Sequence, residues 1–129
     1  EFRKVHQFNV FTANAPIQYA LAEYMSSSEN YMHIHEVYQE KRNIFLSAVK
    51  ASRFKLKPTK GTYFQLLDYS KISNEEDTAL ATRLTIEHKI ASIPVSVFYH
   101  NPVQNSVLRF CFAKENDTLM KAGDILCNI

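Results

Sequence analysis

Glycine is nearly missing from this chain: Gly61 and Gly123 are the only two in 129 residues. A glycine-rich loop that cradles phosphate therefore cannot be assembled within it. Cysteine is as scarce, with only Cys111 and Cys127. That excludes a disulfide framework and suits a reducing cytosol. Both cysteines sit in apolar patterns, where buried free thiols are expected. No apolar run approaches a membrane span, and nothing near the start has the pattern of a signal peptide. Charge of one sign is lacking too: the net charge is only +2, and the lysines and arginines are scattered rather than massed. Neither a nucleic acid nor a membrane is an expected partner.

What is present is ordinary for a globular protein, 46% apolar and 22% charged. The length suits one domain that buries roughly two-thirds of its unfolded surface. The chain opens at Glu1 without a methionine, and "EFRKVHQFNVF" reads like the middle of a protein. It is expected to be a piece of a longer chain.

The first helix signal follows "TANAP", with Asn14 as cap, Pro16 in the first turn, and Ile17, Ala20, Leu21 and Tyr24 at helical spacing. The polar connector "SSSEN" (26–30) separates it from a longer helix, predicted from about Tyr31 to Ala51. The apolar stripe of that helix is Ile34, Val37, Tyr38, Ile44, Phe45, Ala48 and Val49. Two strand-like runs follow, "RFKLKPT" and "GTYFQLLDY". "SNEE" (73–76) is a capping box that starts a helix near Asn74, buried through Leu80, Ala81 and Leu84. "IASIPVSVFY" is partly extended, with Pro94 marking an edge or a strand end. "SVLRFCFAK" is the best strand in the chain. A final helix, capped by Asn116 or Asp117, buries Leu119, Ala122, Gly123 and Leu126. The order predicts an α+β fold: a small, mostly antiparallel sheet covered by helices on one face.

Most candidate chemical sites reduce to structure. In "HIHE" (33–36) the two histidines point to different faces of a helix and cannot share a metal. His6, His88 and His100 have no ligand neighbours at metal spacing, so no metal site is expected. Ser96 has no local base, and Cys111 in an apolar strand should be a poor nucleophile.

Arg109 stands apart. Alternation along the strand puts Leu108, Phe110 and Phe112 on one face and Val107, Arg109 and Cys111 on the other. The bulky trio is the core face. One reading of Arg109 is then a side chain snorkelling to water from an open sheet face. The other is a planar fork, held on a rigid strand, that grips a carboxylate with two bonds.

Four stretches, "VHQFNVFTANAPIQ" (5–18), "GTYFQLLDYS" (61–70), "IPVSVFY" (93–99) and "LRFCFAKENDTL" (108–119), carry a resemblance. Together they resemble the C-terminal part of class I and II, fold type I, pyridoxal-phosphate-dependent aminotransferases, nearest the methionine and kynurenine–oxoglutarate branch. The resemblance implies that Arg109 binds the α-carboxylate of the amino-acid or 2-oxo-acid substrate. It implies that Tyr63 and Phe64 wall the substrate side chain. Ser96, Val97, Phe98 and Tyr99 would form the loop over bound substrate. Phe11 and Thr12 would reach the neighbouring subunit's active site in a homodimer.

The segments that hold pyridoxal 5'-phosphate in this family, including its aldimine lysine, have no match here. No catalytic residue is therefore expected in this chain, which alone should be inactive. The family layout implies that residues 1–30 are the tail of the large cofactor domain. Residues 31–129 would be the small domain, with 31–51 as a bridging helix. Severed from that large domain, residues 1–30 would expose Phe8, Val10, Phe11, Ile17 and Leu21, to be covered by another copy or left partly disordered. A cytoplasmic location is implied as well. Phe11, Tyr63 and Phe98 hint at a methionine, kynurenine or aromatic substrate. The competing reading is a non-catalytic α+β interaction domain in which Arg109 is a surface residue.

Overall fold

The computed structural model describes residues 1–10, 12–101, 103 and 105–129. It falls into two compact units, Glu1–His35 and Glu36–Ile129.

In the first unit, α1 (Phe2–Asn9) and α2 (Ala15–Met25) are followed by a 3-10 turn, Ser28–Asn30. Asn14 caps α2 as the sequence predicts: its side chain accepts from the Ile17 N–H at 3.3 Å, with proline in the first turn. The helix α1 is an addition to the sequence reading. The signal for it is Phe2, Val5 and Phe8, spaced three apart. No residue of α1 or α2 is buried.

The long helix α3 is Ile34–Ala48, three residues shorter than predicted at each end. Its stripe is buried only in its second half, through Phe45, with Val49 just beyond it, while Ile34 and Val37 are exposed. The sheet follows: β1 (Lys55–Leu56), β2 (Phe64–Asp68), β3 (Ile93–Pro94) and β4 (Val107–Cys111). Its order is β1-β2-β4-β3, antiparallel throughout. The α+β expectation holds, and the Pro94 strand lies at an edge, where a missing N–H costs no ladder bond.

Between the strands lies α4 (Asp77–His88), and α5 (Asn116–Cys127) closes the chain. The capping box at 73–76 does not cap α4. The Ser73 hydroxyl accepts from the Glu75 N–H and donates to the Glu75 carboxylate, forming a turn of its own. Glu75 is then held by Arg83 with Nη2–Oε1 at 2.7 Å. The helix starts three residues later than predicted, with Glu76 at its cap. Similarly, Glu115 rather than Asn116 or Asp117 is the cap of α5.

The core is one cluster in which Leu67, Leu108, Phe110 and Phe112 of the sheet region meet Phe45, Leu80, Leu84, Leu119 and Leu126 of the helices. Phe110 packs with Phe45 and, edge-on, with Phe54. Gly123 is required by a close approach of α5 to α3: a Cβ there would collide with Ala48. Gln65 is fully buried on the core side but has its polar atoms bonded. Its Nε2 donates to the Lys57 and Leu66 carbonyls and its Oε1 accepts from the Thr59 N–H. A buried amide so bonded avoids the cost of an orphaned polar group and ties down the chain just ahead of β2.

Candidate functional site

Burial alternates along β4 as its sequence predicts, with Leu108 and Phe110 buried and Val107, Arg109 and Cys111 facing the other way. Cys111 is therefore exposed, not buried as its apolar surroundings suggested. It shares a face with Arg109, and that face is open. Cys127 is half-buried, its thiol 3.4 Å from the Ala48 carbonyl.

The register sets the surroundings of Arg109. Leu66 of β2 and Ile93 of β3 lie directly opposite it on its two flanks, and Phe64 stands opposite Cys111. Cross-strand partners project to the same face. Around the guanidinium the open face is thus aliphatic and aromatic; further along it Asp68, opposite Val107, is paired with Lys55 at 3.6 Å. The guanidinium carbon lies over the Phe64 ring at 4.7 Å and over the Phe98 ring at 5.1 Å. Both distances are within cation–π range. Tyr63 extends the aromatic wall, edge-on to Phe64 with ring centroids 5.6 Å apart. Gly61, at φ +70°, supplies the left-handed turn that leads into this wall.

The other arginines of this unit have acceptors. Arg42 donates to the Thr59 carbonyl, Arg53 to the Ile129 carbonyl, and Arg83 to Glu75. No hydrogen bond or ion pair to Arg109 occurs among the described residues. Its guanidinium is held by two rings on a rigid strand and has no acceptor among the described residues. Such a group suits an external carboxylate, which a guanidinium grips with two parallel bonds.

Four predicted residues thus come together: Tyr63, Phe64, Phe98 and Arg109. Ser96 belongs to the same loop, in the 3-10 turn Ser96–Phe98. Its hydroxyl, however, is committed to the Asp77 carboxylate at 2.6 Å, and its N–H to the other carboxylate oxygen at 2.7 Å. Asp77, with Leu66 and Ile93, is what sequence reasoning missed. Asp77 resembles an ordinary acidic first-turn residue, and its partner lies 19 positions away. Thr12 is exposed, with its hydroxyl near the Ala13 carbonyl at 3.3 Å. Phe11 lies outside the described residues.

Among the described residues there is no group of three or more His, Cys, Asp or Glu side chains that could hold a metal. No described helix is long and apolar enough to cross a membrane.

An antiparallel sheet with helices on one side and an arginine among aromatic rings on the other defines a small α+β domain. Residues 1–123 match the family described as aminotransferase class I and II, and the chain belongs to that family. It is 42% identical over 127 residues to the methionine aminotransferase of Escherichia coli (strain K12), covering 98% of this chain and 33% of that protein. It is 28% identical to the kynurenine–oxoglutarate transaminase of Dictyostelium discoideum, covering 96% of this chain and 34% of that protein. The crystal structure of E. coli YbdL, reported with a methionine aminotransferase function, superposes with a TM-score of 0.89 at 41% identity. That match covers 98% of this chain and 34% of YbdL. The chain therefore spans about a third of the length of the relatives it matches.

Proposed function

We propose that this chain is the carboxylate-anchoring part of an aminotransferase that moves an amino group from an amino acid to a 2-oxo acid. The observation that carries the proposal is Arg109, whose guanidinium is braced over two rings and has no acceptor among the described residues. Every substrate of such a reaction, donor or acceptor, carries an α-carboxylate. Arg109 would bind it through two parallel N–H bonds, each worth roughly 1.5–3 kcal/mol where a charge takes part. Phe64 and Phe98 would keep water from the pair and hold the fork's plane, fixing where the α-carbon lies. Tyr63 would line the space for the side chain. With the likeness to methionine and kynurenine enzymes, this favours a methionine, kynurenine or aromatic donor.

The family in general depends on pyridoxal 5'-phosphate, and the chain's residues do not fit as that cofactor's own site. The only two glycines, Gly61 and Gly123, lie far apart in the sequence and Gly123 is pressed against Ala48, so they do not form a glycine-rich phosphate cradle. Asp77, the buried carboxylate of the described residues, has both oxygens taken by Ser96. We assign the cofactor contacts, and the proton transfer at the α-carbon, to other parts of the full-length protein. On the same reading residues 1–30 are the tail of a large cofactor domain, 31–129 the small domain, and 31–51 the bridge between them. Phe11 and Thr12 would reach the partner's active site in a cytoplasmic homodimer.

The test is Arg109→Ala in the full-length protein. We expect kcat/KM to fall by on the order of 10²–10⁴, the loss of two charge-assisted bonds, with the yellow cofactor chromophore retained. Near-normal kinetics would instead favour an interaction domain with a surface arginine.

A further inference from the structure

We infer that Asp77 is a positioning residue for the carboxylate site: through Ser96 it holds the turn at 95–99 so that Phe98 lies against Arg109. The inference rests on the reading of Arg109 as the carboxylate anchor.

Asp77 is 3% exposed. A carboxylate taken that far from water is costly unless its oxygens are bonded. Each has a separate partner on one residue: Oδ2 accepts from the Ser96 N–H at 2.7 Å and Oδ1 from the Ser96 hydroxyl at 2.6 Å. It also lies in the first turn of α4, where the positive end of the helix favours an anion. A rigid helix terminus thus grips one backbone position of an otherwise exposed loop at two points. Beyond that position the turn is closed by its own bonds, Phe98 N–H to the Val95 carbonyl and Tyr99 N–H to the Ser96 carbonyl. Val97, Phe98 and Tyr99 all remain exposed. Ring packing to Arg109 is therefore supported from behind, by a carboxylate bonded to Ser96 rather than to the guanidinium.

The experiment uses the full-length protein and a substrate-like carboxylate without an amino group, 3-phenylpropanoate, titrated calorimetrically. Asp77→Ala and Ser96→Ala should weaken its binding by about tenfold and about fivefold, as loss of charge-assisted bonds allows. KM for the amino acid should rise in parallel, with kcat within about threefold of wild type. In a Phe98→Ala background both losses should disappear, because the ring they place is gone. Should Asp77→Ala not fold, Ser96→Ala, which removes only a hydroxyl, decides the matter. Unchanged carboxylate binding in folded Asp77→Ala or in Ser96→Ala overturns the inference. Losses that persist undiminished without Phe98 overturn it too. Arg109→Ala is measured in parallel. If it leaves carboxylate binding intact, the anchor itself is wrong; if it alone weakens binding, only the role of Asp77 is.

Discussion

The two units of this chain have similar chemistry and opposite outcomes. Both carry helices with apolar residues at helical spacing. In Glu36–Ile129 many of those residues, though not Val37, meet a sheet and disappear from solvent; in Glu1–His35 none of the described ones is buried. Phe2 is 82% exposed and Phe8 83%, whereas Leu67, Leu108 and Phe112 are at 0%. Amphipathic spacing makes a helix; it makes a core only when a second layer supplies the opposing face. The second unit has that layer in β2 and β4. The first presents Phe2, Val5, Phe8, Ile17, Leu21 and Tyr24 to its surroundings, a surface of the kind that protein partners cover.

The comparison can be broken most forcefully in the core. Leu108→Ala should destabilise the chain by about 2–5 kcal/mol in urea unfolding, a lost side chain plus its cavity. Leu21→Ala should stay within about 0.5 kcal/mol of wild type, as exposed substitutions do. Equal costs at the two positions would mean that the first unit has a core of its own.

A smaller effect is expected where α3 and α5 touch. Gly123→Ala puts a methyl into Ala48, and forcing the helices apart should cost about 1–3 kcal/mol, read as a lowered urea midpoint at unchanged slope.

The smallest is electrostatic and distinguishes the second unit by pH. Hydrogen bonds from Arg83 and then Ser73 hold the Glu75 carboxyl below its ordinary range. Its contribution is therefore complete above the ordinary carboxylate range and is lost as pH falls through the lowered value. The pair is partly exposed, so Glu75→Gln should remove only about 0.2–1 kcal/mol at neutral pH and almost nothing in strong acid. Unfolding curves across that range check the convergence.

How much of this was legible beforehand follows from the range of each interaction. The alternation in "SVLRFCFAK" is local, and it placed Arg109 opposite Leu108 and Phe110 correctly. Asn14 and Pro16 announced α2 for the same reason. The capping box failed because Ser73 has two glutamates within reach, and only Arg83, eight residues past Glu75, selects between them. Cys111 was misjudged by its neighbours' character, when the alternation that placed Arg109 on the open face had already placed it there. Asp77 was out of reach altogether. Its bond to Ser96 exists only once α4 and the loop after β3 have been packed side by side. The same holds for the flanking of Arg109 by Leu66 and Ile93, which is a matter of strand register.

The central claim concerns Arg109 and one functional group of the substrate, so the most direct measurement varies both. In the full-length protein, kcat/KM for an amino-acid donor such as methionine is compared with that for its amide, which lacks the carboxylate. The wild type should prefer the acid by on the order of 10²–10⁴, and Arg109→Ala should reduce that preference to within about tenfold. An Arg109→Ala enzyme that still prefers the acid as strongly as the wild type would contradict the account.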